Sequence, residues 1–104
     1  MDTYIVKITD EALEDMQAIF DHIAHVLQAP LTAERQLHRL MDEILSLELF
    51  PERYSIVDAE PWQSRKLRHM PVDNYTVFYT IRSNSVIVTD ILYSASDLIA
   101  RLRQ

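Results

Sequence analysis

The chain has 104 residues, 48% of them hydrophobic and 25% charged, with a formal net charge of −6 and neither cysteine nor glycine. That composition describes one globular domain over residues 1–104 with a modest core, and it excludes a disordered chain, a disulfide scaffold and thiolate metal sites. The lack of glycine also excludes a P-loop, a dinucleotide fingerprint and a nucleophile elbow, all of which need close backbone approach or positive φ.

Tyr4-Ile5-Val6-Lys7-Ile8 is short and β-rich and reads as a first strand. Thr9 is an N-cap followed by Asp10 and Glu11, which suit the positive end of a helix. Ala12, Leu13, Met16, Ile19, Phe20, Ile23 and Leu27 recur by threes and fours and predict an amphipathic helix from about Thr9 to Gln28, ended by Pro30. A second helix is expected from a Thr32 cap, with the stripe Ala33, Leu37, Leu40, Ile44 and Leu45 and Leu47 as a further candidate, stopping before Pro51. The short link between the helices predicts an antiparallel hairpin.

Residues 51–61 have no helical period and read as a loop, or as a loop with one extended piece. Strand-like runs follow at about Ser64–Met70, Tyr75–Arg82 and Val86–Tyr93, joined by turns at Asp73-Asn74 and Ser83-Asn84-Ser85. The tail from Ser96 is expected to form a turn or two of helix. The order strand, helix, helix, three strands predicts an α+β fold of two layers, with the helical hairpin packed on a mostly antiparallel sheet.

No apolar run approaches the roughly 20 residues that cross a bilayer, and the opening residues lack the pattern of a signal peptide. A cytoplasmic protein without membrane contact fits these features. Residues 1–50 carry 10 acids and 3 bases, whereas residues 51–104 carry 6 acids and 7 bases. Long-range attraction to nucleic acid is therefore not expected, and any such binding needs a local patch.

The one cationic cluster is Arg65, Lys66, Arg68 and His69. On a strand it reads either as a charged edge that resists aggregation or as part of an anion-binding surface. Alternation along Tyr75–Arg82 sends Tyr75, Val77, Tyr79 and Ile81 toward the helices. Thr76, Phe78, Thr80 and Arg82 then face away, with Phe78 an exposed aromatic that is either incidental or a docking anchor. His22 and His25 form a poor metal pair without a third ligand and read as solvated helix histidines. No catalytic triad or carboxylate pair stands out, and nothing calls for a cofactor or a metal.

Several motifs occur together: Pro51-Glu52-Arg53, Pro61-Trp62, the basic stretch, Val72-Asp73-Asn74-Tyr75, and Ile91-Leu92-Tyr93 with Asp97. In this order the chain resembles the RelE/ParE toxins of type II toxin–antitoxin (plasmid stabilization) modules. The resemblance implies a toxin neutralised by a cognate antitoxin protein. It also implies one of two targets, the ribosome with its messenger RNA or DNA gyrase. The RNA-cutting branch carries an arginine where this chain has Thr76 and another where it has Ser96. Many of its members also have an arginine in place of Asp90. Arg68 and His69 are the remaining catalytic candidates. The expected activity is therefore a toxin that acts by binding a gyrase-like target or has degenerate activity, with a ribosome-dependent endoribonuclease as the alternative. A third reading is a non-toxic interaction protein, such as a homodimer that pairs sheet edges or covers Phe78. Arg65, Lys66, Arg68, Phe78 and Arg82 are the expected target- or antitoxin-binding residues.

Overall fold

The computed structural model describes residues 2–103. Strand β1 (Ile5–Ile8) leads into α1 (Asp10–Asp21), which continues as one π-helical turn (His22–Val26). Helix α2 (Pro30–Leu45) follows, then two short 3-10 turns at Ser46–Glu48 and Pro51–Arg53. Strands β2 (Arg68–Val72), β3 (Tyr75–Arg82) and β4 (Ser85–Tyr93) come next, and the short helix α3 (Leu98–Arg101) completes the order. The four strands form one sheet in the order β1-β4-β3-β2, with β1 parallel to β4 and the other pairs antiparallel. The α+β architecture is the expected one.

Local chemistry accounts for the element ends. Thr9 Oγ1 accepts the amide of Ala12 at 3.1 Å and starts α1. Helix α2 begins earlier than expected. Pro30 occupies its first turn and Ala29 is its cap, so Thr32 lies inside the helix rather than ahead of it. Proline fits there because its missing N–H would have no intrahelical partner and its φ is already helical. Without glycine, left-handed backbone falls on Gln28, Phe50, Lys66, Asp73 and Ser83, each at a turn.

The expected strand at Ser64–Met70 is shortened. Pro61–Lys66 coils into helical turns, with the amides of Gln63, Arg65 and Leu67 donating to Ala59, Pro61 and Trp62. Glu60 stabilises that coil by accepting both the amide and the hydroxyl of Ser64 at 2.8 and 2.7 Å. Those bonds hold the Glu60 carboxyl below its ordinary pKa. Only from Arg68 onward does the chain pair with β3.

The main core lies between helices and sheet. Ala12, Met16, Leu40, Ile44 and Leu47 meet Met70, Val72, Val77, Tyr79, Val86, Val88 and Ile91. A bulge at Thr89 puts one extra residue in β4, so Phe78 pairs with Asp90 while Tyr79 pairs with Val88. The extra residue resets the alternation of β4. Val86, Val88 and Ile91 then all reach the helix side, and Asp90 and Leu92 the other.

The opposite sheet face departs from expectation. Phe78 is not exposed; it is 2% accessible and packs with Val57, Trp62, Leu67, Leu92 and Leu102. The segment 56–67 and the C-terminal segment supply this second core. The strand pattern gave the correct face for Phe78, but its cover comes from chain distant in sequence.

Candidate partner-binding site

Strand β1 is four residues long and pairs β4 only from Ser85 to Val88. Thr9 closes that ladder by donating its amide to Val88 O at 3.0 Å. Beyond it the backbone edge of β4 faces α1 instead of a strand. Asp15 fills part of the gap, its Oδ2 accepting the Ile91 amide at 3.0 Å. A cleft of about 540 Å³ remains between this edge and α1. Ala18, Ile19, His22 and Leu27 line its helix side. Tyr75, Ile91, Leu92 and Tyr93 line its sheet side, with Arg101 at the rim.

The Tyr75 and Tyr93 rings meet edge to face at 5.9 Å, and burial followed by the Tyr93 charge raises the Tyr75 phenol pKa. At the hairpin tip, Val26, Leu27 and Leu31 are all more than half exposed, and Leu27 also lines the cleft. The cleft is thus mixed in character, with Ile19, Leu27, Ile91 and Leu92 beside Asp15, His22, Asn74 and Arg101, and it runs along a strand edge bordered by the acidic helix α1. Such a surface takes a polypeptide segment with apolar and basic side chains.

The sequence-predicted residues do not form one cationic rim. Arg65 stacks over the Trp62 ring at 5.4 Å in the coil, and Lys66 sits exposed at the left-handed turn that ends it. Arg68 pairs with Tyr79 and donates to the carbonyls of Glu52 at 3.1 Å and Tyr54 at 2.7 Å. Its guanidinium therefore holds the 52–54 turn to the sheet. Arg82 lies beyond the end of β2 and bonds the neighbouring Ile81 carbonyl. Only His69 and Phe78 come together, as a directly opposed pair lining a second cleft of about 420 Å³ with Asp58, Leu98 and Ile99. Thr76 is buried and shares a hydrogen bond of 2.8 Å with the Ser94 hydroxyl, and Ser96 bonds the Tyr93 carbonyl.

A more strongly bonded cluster escaped the sequence reading. Arg103 grips Asp15 through both carboxylate oxygens at 2.6 and 2.9 Å, and Asp90 at 3.0 Å. It also donates to the carbonyls of Thr89 and Glu11. The Asp15 hydrogen bonds and charge, with Asp90 and Glu11 adding, raise the Arg103 pKa despite partial burial. Its one signal in the sequence is Asp90, an acid inside the apolar run from Val86 to Tyr93. Among the described residues no group of three His, Cys, Asp or Glu side chains is placed to hold a metal ion, and no helix is long and apolar enough to cross a membrane.

Fold and site together define a small α+β domain: a helical hairpin on a mixed sheet, with a strand edge beside its first helix that no further strand covers. The chain belongs to the ParE toxin family of type II toxin–antitoxin systems (parDE), whose family model matches residues 6–98. It is a toxin component of that class. Among solved structures it is similar to a chain of the chromosomal ParDE TA system from P. aeruginosa. That match has a TM-score of 0.73 at 18% identity and covers 88% of this chain and 96% of the other. It is also similar to a chain of the archaeal RelE-RelB complex from Pyrococcus horikoshii OT3. There the TM-score is 0.61 at 16% identity, with 89% and 97% covered. These two likenesses concern the fold. No curated protein matches the chain in sequence.

Proposed function

We infer that this toxin acts by binding its target rather than by cutting RNA, and that a cognate antitoxin silences it. The observation that carries the first half is the state of the sheet face opposite the helices. RNA cleavage by side chains needs groups that activate the ribose 2′-hydroxyl, stabilise a charged phosphorane and protonate the leaving oxygen. On this face stand Phe78, Leu92 and the buried acid Asp90, covered by Trp62 and Leu102. Arg68 is committed to carbonyls on the other side, and with the C-terminal segment seated Arg103 is held by two carboxylates, so neither is presented to a phosphate on this face. His69 alone keeps a place beside the face, and one imidazole does not supply all three tasks.

The antitoxin half is supported by the cleft along α1 and β4. Its strand edge, free of a neighbouring strand, and its apolar side chains suit an extended or helical segment, and the −7 balance of residues 1–50 favours a segment with basic side chains. DNA gyrase is the target that the resemblance implies for a binding toxin.

Two assays on the induced protein test this reading. Growth arrest with inhibited DNA supercoiling and unchanged message ends is the expected result. New message ends within translated codons, lost in His69→Ala, would restore the ribonuclease reading. For the antitoxin, the product of the neighbouring short reading frame is expected to co-purify with the chain and to lose affinity for Leu27→Asp at the cleft. Unaltered binding by that variant would remove the cleft as the docking site.

A further inference from the structure

We propose that the C-terminal segment Ser94–Arg103 is a displaceable strap, locked by Arg103, that occludes the sheet face opposite the helices. The strap is anchored where it leaves β4, by Ser94 on Thr76 and the Asn74 carbonyl, and beyond that point it is held chiefly at its end. Helix α3 is four residues long and has one side-chain cap, Asp97 Oδ1 accepting the Ala100 amide at 3.5 Å. Of its apolar residues, Leu102 is buried and Leu98 half-buried against the second core, while Ile99 is 42% exposed. Between the strap and residues 55–58 lies the unfilled 420 Å³ cleft that reaches Phe78. A cover with so little apolar contact and a void at its flank adheres weakly on its own.

The lock supplies what the packing lacks. Arg103 presents one guanidinium to the Asp15 carboxylate and Glu11 carbonyl of α1 and to the Asp90 carboxylate and Thr89 carbonyl of β4. Its own amide also donates to Asp90 at 3.3 Å. Asp90 is 2% accessible and has its bonds from Arg103. In most proteins a buried carboxylate resists losing its partner, but here the strap is itself part of the cover. Opening therefore returns Asp90 to water, which makes release reversible. The receptor is specific for a planar cation: a competing guanidinium group reproduces the bidentate contact to Asp15, and a spherical cation does not. The strap is thus an intrachain competitor for the face bearing Phe78, Leu92 and Trp62.

The full-length protein carries its own reporter, since Trp62 is the single tryptophan and shares a cluster with Leu102. Acrylamide quenching of Trp62 and amide exchange across residues 94–103 are measured together. Arg103→Gln is expected to raise both on the order of tenfold, the scale of a lost charge-assisted hydrogen bond. The amides of Val77 and Val88 should stay protected, and Arg103→Lys should recover part of the effect. In the unmodified protein, guanidinium chloride at sub-denaturing concentration should open the strap more than sodium chloride of equal ionic strength, a difference that Arg103→Gln abolishes. If Trp62 and the strap amides are as protected in Arg103→Gln as before, the proposal fails. It fails also if guanidinium and sodium act alike on the unmodified protein, and that arm decides alone should the variant not fold.

Discussion

Truncating Phe78 to alanine measures whether the second core exists in solution. The ring is 2% accessible and contacts Trp62, Leu67, Leu92 and Leu102 on one side of the sheet. A buried phenylalanine replaced by alanine costs about 3–5 kcal/mol, transfer and cavity terms together. The 420 Å³ cleft beside Phe78 and the four-residue α3 give the neighbours room to settle into the space. The lower end, about 3 kcal/mol, is therefore expected. A domain of this size has roughly 5–15 kcal/mol of stability in all, so the variant should fold with a much reduced margin. At about 4–8 °C per kcal/mol the midpoint falls by roughly 12–24 °C. Urea melts followed through Trp62 fluorescence give the free energy directly, with the slope as a check on two-state behaviour. A loss below about 1 kcal/mol at unchanged slope is the signature of an exposed side chain and would refute the covered face.

Three further outcomes follow from other parts of the fold. Asp73 accepts from Gln36 and from two nitrogens of Arg39, and the Arg39 bonds, then the Gln36 bond, hold its carboxyl below the ordinary range. A depressed carboxyl adds stability above its unfolded pKa and loses it as pH falls through its folded pKa. Asp73→Asn should thus cost about 0.5 kcal/mol near neutrality, a partly exposed pair, and nothing in acid, as urea melts across that range will read. Burial pushes the Tyr79 phenol up to about 12, above its usual 10.0. Stability should therefore be constant in this respect below about pH 10 and fall as pH rises toward about 12, with Tyr79→Phe flattening that alkaline decline in thermal melts. Ser83 holds φ at 54°. Glycine there relieves a left-handed penalty of about 1–2 kcal/mol and adds back 0.4–1 kcal/mol of unfolded-state entropy, so Ser83→Gly should stabilise by about 0.5 kcal/mol in the same melts.

The helical hairpin was legible because its signals are local. The step of threes and fours finds the buried faces of α1 and α2 through Ala12, Met16, Ala33, Leu40 and Ile44, though Leu13, Leu27 and Leu45 of the same stripes stay exposed, and Thr9 marks a start that one hydrogen bond realises. Strands β3 and β4 were legible for the same reason, down to the helix-facing set of Val77 and Tyr79. The cleft between α1 and β4 was not legible, and the cationic residues expected to share one surface are separated by the fold. Ser64–Met70 alternates like a strand, yet Glu60 reaches Ser64 and Pro61–Lys66 coils, which separates Arg65 and Lys66 from Arg68. Phe78 sits on the face that alternation assigns, but nothing within a strand's length says that Trp62 and Leu102 will cover it. The Thr89 bulge and the reach of Arg103 to Asp15 depend on tertiary geometry between residues up to 88 positions apart.

The parallel ladder of β1 with β4 also governs when this protein can fold. Ile5 pairs with Ser85, and roughly eighty positions must be synthesised before that first strand finds its neighbour, a long closure of the kind that slows folding. During translation the α1–α2 hairpin emerges without the sheet that buries its apolar side. The opening strand meanwhile remains an unmatched ribbon of Ile5, Val6 and Ile8. Folding is therefore a late event in the life of the nascent chain. A protein that binds the hairpin or the ribbon in that interval meets a chain that is not yet poisonous.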